Sequence, residues 1–165
     1  MSANLQLPQK RLYKILNIIS FIVLVSMFLY LILTWSTIPD TIPTHFDGTG
    51  DADSWNGKGT LIIMPAFAVL LYSMITLLEH HPDAWNTGIK LTPQNQDRVL
   101  AAVHGMIVIT KLAMLLSFAW INYCSARCIN LGKWFTPVSL TVIFGSIAYY
   151  LIKILHVPTG EKNKE

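Results

Sequence analysis

Charge is what this sequence has least of. Only 13% of its 165 residues are Asp, Glu, Lys or Arg, against about 25% in a soluble domain. The nine acidic and twelve basic side chains are clustered, and long stretches carry none. This pattern excludes a soluble enzyme domain, a disordered tail and a nucleic-acid binder built on a basic patch. The net charge of +3 matters only through where the cations sit. Cysteine is scarce too: Cys124 and Cys128 are the two, too few for a zinc centre without partners. Their i,i+4 spacing is poorly posed for a disulfide inside a continuous helix, which leaves free thiols, or a bridge if the helix has ended. There is no glycine-rich phosphate loop, no supportable Ser-His-Asp arrangement and no carboxylate pair in an apolar stretch. No catalytic residues are legible.

What is present is hydrophobic, 53% of the chain, with mean hydropathy +0.48. Ile15 to Pro39, Gly59 to Leu78 and Trp134 to Ile152 carry no charge, and Val99 to Ala126 is interrupted once, by Lys111. About 20 apolar residues suffice to cross a hydrocarbon core of roughly 30 Å. Four such stretches leave too little polar surface to enclose them as core helices. The expected fold is an all-α integral membrane protein of four transmembrane helices, with an extended, hairpin-like outer loop between helices 1 and 2. A single membrane domain covers 1–165, with helices at about 12–35, 60–79, 94–123 and 135–155. The outer loop is then 36–59 and the cytoplasmic loop 80–93. The first span follows Lys10, Arg11 and Lys14. It is too long for a signal peptide and lacks a small-residue cleavage site, so it reads as a retained signal anchor.

Orientation follows from the cations. Lys10, Arg11, Lys14, Lys90, Arg98, Lys153, Lys162 and Lys164 fall on one side, and Lys58, Arg127 and Lys133 on the other. The richer side is expected to be cytoplasmic, with both termini inside. Trp35, Trp55, Trp120 and Trp134 then gather at the outer interface and Trp85 at the inner one, as an aromatic belt requires.

The outer loop is unusually specific for its length. Pro39 and Pro43 hold the chain extended, and Asp47-Gly48 and Thr49-Gly50 are turn dipeptides that supply positive φ. Ile38, Ile42, Phe46 and Trp55 are its expected apolar anchors. Within it, Ile42-Pro43-Thr44-His45-Phe46 is followed by an acidic, glycine-rich turn and by Gly50, Asp53, Trp55 and Lys58. This core resembles the bacterial membrane family catalogued as domain of unknown function 1648. The second loop is similar as well, in Leu91-Thr92-Pro93-Gln94-Asn95 leading to Arg98 and a helix bearing Lys111. That domain also forms the N-terminal part of SdpI-type immunity proteins, which protect a cell from a secreted peptide toxin and can take part in signalling. The resemblance implies an immunity- or signalling-like role, over most of the chain through the third helix. The further helices of a full immunity protein are missing here.

Independently of the family, Thr92-Pro93 reads as a helix start, with Thr at the N-cap and Pro at the first helical position. Arg98 then anchors at headgroup level, and His80 and His81, which follow Glu79, read as interfacial polar residues. Their spacing is wrong for a zinc-protease helix.

Three groups could carry chemistry. Asp47, Thr49, Asp51 and Asp53 have the alternate spacing of a calcium loop, but Ala52 and Lys58 stand where an EF-hand needs Gly and Glu. A looser divalent site from His45, Asp47, Asp51 and Asp53 stays open, although turn chemistry alone accounts for the composition. No other cofactor is expected. The two cysteines form the second group. The third is a polar line on the third span: Asp97, His104, Lys111 and Asn122 fall within about 40° of one another, with Ala101 and Val108 on the same stripe. Such a line should face the bundle interior or a wet cavity. No other span is expected to contain an acidic residue to pair with Lys111. The expected neighbours are Asn17, Ser20 and Ser26 on the first span and Tyr72, Ser73 and Thr76 on the second. A mid-membrane lysine costs at least about 2.5 kcal/mol on the insertion scale, so Lys111→Met is expected to fold at least as stably as wild type.

The expected role is binding or sensing of a peptide or small-molecule ligand at the outer face of the bacterial plasma membrane. The ligand-binding candidates are His45, Phe46, Asp47, Asp53, Trp55, His104 and Lys111. The partners are the lipid bilayer and that ligand, with no nucleic acid and room for a homo-oligomer. Two alternatives stand beside this reading: a metal-dependent membrane enzyme using the outer His/Asp loop, and a small oligomeric transporter.

Overall fold

The computed structural model describes residues 11–158. Lys10, Lys162, Lys164 and the placement of both termini lie outside the described residues. Four helices, α1 (Arg11–Thr34), α2 (Ile63–His80), α3 (Gln96–Arg127) and α4 (Phe135–Leu155), are each part of a segment long and apolar enough to cross a membrane. Between α1 and α2 lies one antiparallel hairpin, β1 (Thr41–Phe46) and β2 (Ala52–Gly57). The protein is an all-α membrane protein with a minor two-stranded element, as its charge-poor runs imply.

The helix α3 is the axis of the bundle. Over its most apolar stretch 56% of residues are buried, against 11–22% for the other three helices. Small residues allow this. Ala102 and Ala113 are buried on α3, and a Cβ on Gly105 would lie 2.6 Å from the Tyr13 hydroxyl and 2.7 Å from that of Tyr150. Without a hydrophobic force between helices in lipid, such close approach supplies the packing. The Tyr13 hydroxyl also donates to the Ala101 carbonyl at 3.3 Å. Large apolar side chains such as Leu33, Ile63, Phe144 and Leu155 remain exposed. In a chain that satisfies its backbone with helices, these are the surfaces that acyl chains cover.

Several boundaries differ from the sequence reading. Helix α3 starts at Gln96 and not at 94, because Asn95 ties the preceding loop into a turn. Its Oδ1 accepts from the Thr92 amide at 2.8 Å and its Nδ2 donates to the Lys90 carbonyl at 3.0 Å. Thr92 is therefore no N-cap, and its buried Oγ1 makes no hydrogen bond among the described residues. At its other end α3 runs on to Arg127 and is closed by Cys128 in the left-handed region, φ 53°. The amide of Ile129 donates to the Cys124 carbonyl there, the 6→1 bond of a Schellman turn. Both cysteines are free thiols. Short 3₁₀ turns, Trp35–Thr37 and Lys58–Ile62, join the hairpin to α1 and α2.

Candidate functional site

Two polar regions lie near opposite ends of the bundle. The first is the hairpin. Asp47 closes its turn: Oδ1 accepts from the Thr49 amide at 2.8 Å, the Thr49 hydroxyl at 2.7 Å and the Asp51 amide at 3.0 Å. These bonds, led by that from the Thr49 hydroxyl, hold the Asp47 carboxyl below its ordinary pKa. Of the two turn glycines only Gly50 takes positive φ, +83°. Gly48 does not, because Asp47 supplies the turn through its side chain.

The tip docks on the α3–α4 loop. Leu131 donates its amide to the Gly50 carbonyl at 2.8 Å. The Asn130 amide group reaches Asp51 Oδ1 at 2.6 Å while its Oδ1 accepts from the Ala52 amide. A Cβ on Gly50 would stand 2.8 Å from the Gly132 carbonyl oxygen, so only glycine fits. Phe46 packs on Cys124, Leu131 and Phe135, and Ile38 and Ile42 are buried against Leu31, Leu61 and Ala126. Trp55 is not the anchor the sequence suggested: it is 52% exposed.

The pairing is irregular on either side of His45, which is opposite Ser54. Such bulges re-aim side chains, and here His45 Nδ1 meets Asp53 Oδ1 at 2.6 Å with both groups largely exposed. Asp47 and Asp51 are engaged at the turn instead. The four metal candidates thus separate into a His45–Asp53 pair and a turn pair. No group of three or more His, Cys, Asp or Glu converges as a metal site among the described residues.

The second region is inside the bundle. Lys111, 1% exposed, has the acidic partner that the sequence reading did not find. Its Nζ donates to Glu79 Oε2 at 2.6 Å and to Thr76 Oγ1 at 3.2 Å, and lies 5.2 Å from the Tyr72 ring centroid. Two turns earlier on α3, His104 Nε2 donates to Glu79 Oε1 at 2.9 Å. Asn17 of α1 donates to the same oxygen at 2.5 Å. Glu79, one residue before the end of α2, is 4% exposed. Side chains on a helix lean toward its N-terminus, so Lys111 reaches down to meet Glu79 from above while His104 meets it from below. Three helices converge on one carboxylate.

Of the proposed polar line, His104, Lys111 and Asn122 are buried and Asp97 is exposed. Asn122 belongs to the hairpin end, where its Nδ2 donates to the Leu61 carbonyl at 3.1 Å. Of the expected neighbours, Asn17, Thr76 and Tyr72 join the cluster. Ser20 and Ser26 instead donate to carbonyls of their own helix, and Ser73 is exposed. The residue missed outright is Glu79. A wheel drawn on α2 would have found it, since Tyr72, Thr76 and Glu79 stand at i, i+4 and i+7. His104 Nδ1 and Asn17 Oδ1 are buried and without a hydrogen-bond partner among the described residues.

A groove of about 290 Å³ runs between β1 and the ends of α2 and α3. Ile42, Pro43, Met64 and Ile121 give it apolar walls, and Thr44, Asn56, Thr60, Asn122 and Ser125 offer hydroxyls and amides.

A family model described as Domain of unknown function (DUF1648) matches residues 22–69. That segment holds most of α1, the whole hairpin and the start of α2, and it contains the Ile-Pro-Thr-His-Phe core. An uncharacterized protein of Archaeoglobus fulgidus is 32% identical over 60 residues, which cover 36% of this chain and 33% of that protein. The chain therefore spans about a third of the length of that curated relative. No solved structure matches the chain. Residues 22–69 are thus similar to the DUF1648 family, and the similar stretch is the hairpin with the adjoining parts of α1 and α2.

Proposed function

We propose that this membrane protein binds or senses a peptide or small molecule at its hairpin face, on the outer side of a bacterial plasma membrane, in an immunity- or signalling-like role. The observation that carries the reading is the groove beside β1, which combines apolar walls with a few directed polar groups, the usual character of a ligand site. The hairpin is locked to the α3–α4 loop by Asn130 and the Gly50–Gly132 contact, so one groove wall is preorganised and ligand binding need not order it. His45, Asp53 and Trp55 stand exposed on the same hairpin, outside the groove lining, as further contacts for a ligand. Phe46 and Asp47 act indirectly, by holding the hairpin in place. Asn122 lines the groove from α3, the helix that holds Lys111 and His104. A ligand there acts on the helix that carries His104 and Lys111 of the interior cluster, which is a route for signalling.

The outward orientation rests on the lysine and arginine asymmetry. Cysteines introduced at Ser54 and Thr87, in a background lacking Cys124 and Cys128, should label oppositely with an impermeant thiol reagent on intact cells. Labelling at Thr87 but not Ser54 would overturn it. For the groove, a photoreactive residue at Thr44 or Asn56 in native membranes should capture an adduct that a photoreactive residue at lipid-facing Phe144 does not. Filling the groove with Thr60→Trp should abolish the capture. Equal capture at all three positions, or capture indifferent to Thr60→Trp, would sink the reading. The enzyme alternative needs a third ligand for the His45–Asp53 pair, and the transporter alternative needs a path past Glu79 and Lys111.

A further inference from the structure

A second cleft, of about 810 Å³, opens between α3 and α4 at the end away from the hairpin. Asp97, Arg98 and Ala101 line it from the start of α3, and Tyr149, Ile152, Lys153 and His156 from the end of α4, with Val157 and Pro158 beyond. Ala101, with its small side chain, leaves the cleft open on the α3 side, and Ile152, Val157 and Pro158 make its floor apolar. The mouth is basic. Neither Arg98 nor Lys153 forms an ion pair among the described residues. Lys153 Nζ lies 5.9 Å from the ring centroids of both Tyr149 and Tyr150, contacts that hold the ammonium without neutralising its charge. Helix α4, at 1.5 Å per residue, is about as long as the hydrocarbon core is thick, so its last turn lies at headgroup depth. An apolar floor running into two cations without an ion-pair partner among the described residues is, at that depth, the complement of an acyl chain joined to a phosphate.

We propose that this cleft binds an anionic phospholipid drawn from the surrounding bilayer, with the phosphodiester between Arg98 and Lys153 and an acyl chain along Ala101, Ile152 and Val157. Basic pockets between transmembrane helices recognise such headgroups. Asp97 opposes the site at its rim and sets its strength. The proposal is independent of any ligand at the hairpin.

The test uses the full chain in detergent micelles doped with equal amounts of phosphatidylglycerol and phosphatidylcholine, read by native mass spectrometry. Wild type should retain phosphatidylglycerol in preference to phosphatidylcholine. Arg98→Gln and Lys153→Gln should each lower that preference about fivefold, and Asp97→Asn should raise it. Ala101→Phe keeps every charge but fills the floor, and it should lose retention. If it does not fold by circular dichroism, Ile152→Trp fills the cleft from α4. Three results would overturn the site: no preference in wild type, a preference that survives filling of the cleft, or displacement of phosphatidylglycerol by millimolar inorganic phosphate. The second would reduce the effect to diffuse surface charge, and the third would make the ligand a free anion.

Discussion

The hairpin and the interior cluster each gather polar groups, and they do so by opposite routes. Within the hairpin, apart from its docking to Asn130, the partners are close in sequence: Asp47 holds Thr49 and Asp51, and His45 holds Asp53 eight residues on. In the interior, Glu79 is met by Asn17, His104 and Lys111 from 62, 25 and 32 residues away. The first set is built by turn chemistry within one loop and stays in contact with water. The second exists only when three helices are packed, and there an unpaired member cannot be rescued by solvent. Local polar groups shape a surface, whereas distant ones hold a fold together.

The sharpest way to break that contrast is to remove one member of the interior pair. Lys111→Met leaves Glu79 buried without its cation, so it should destabilise the protein by about 3–5 kcal/mol, measured by unfolding in mixed micelles. This reverses the expectation drawn from Lys111 alone, because the cost of the lysine is already offset by Glu79. The double variant Glu79→Leu, Lys111→Met should recover most of the loss. If Lys111→Met alone matches wild type, the pair contributes nothing to the fold and the contrast fails.

A smaller effect is expected where the hairpin meets the α3–α4 loop. Gly50→Ala places a methyl group against the Gly132 backbone at positive φ and should cost about 2 kcal/mol. The loss should appear as faster protease cleavage within residues 41–57, with helical content unchanged. Equal loosening of hairpin and helices would mean that the two regions are one cooperative unit.

The smallest effect is the pH response of the turn. The folded state lowers the pKa of Asp47 from its ordinary 3.8. The hairpin therefore gains from ionised Asp47 at neutral pH and loses that gain as pH falls through 3.8 and below. Amide protection at Thr49 and Asp51, taken relative to the intrinsic exchange rate at each pH, should fall over that acid range in wild type. In Asp47→Asn it should already be lower at neutral pH and change little with acid. An identical acid response in Asp47→Asn would assign the effect to another group.

Much of the first region could be read from sequence because its physics is short-ranged. Pro43, Asp47 and Gly50 each do what their backbone chemistry requires, and the family resemblance in Ile42-Pro43-Thr44-His45-Phe46 falls inside the matched segment. Trp55 was misjudged because alternation along a strand does not say where a bulge or an edge leaves an indole exposed. The start of α3 was misjudged because Asn95, not Thr92, takes up the loose backbone groups of the loop.

The amino-acid pattern by itself determined four apolar spans, the turn at Asp47 to Gly50, and the burial of His104, Lys111 and Asn122 on one stripe of α3. Periods of hydrophobicity and turn propensities act over a few residues, so they survive in the sequence as written. Only the tertiary structure decided that Glu79 is the counter-charge of Lys111, that Asn130 bolts the hairpin to the α3–α4 loop, and that α3 is the central helix. Those outcomes depend on which helix faces meet and at what height. Glycine and alanine on α3 permit that packing, but no single segment encodes it.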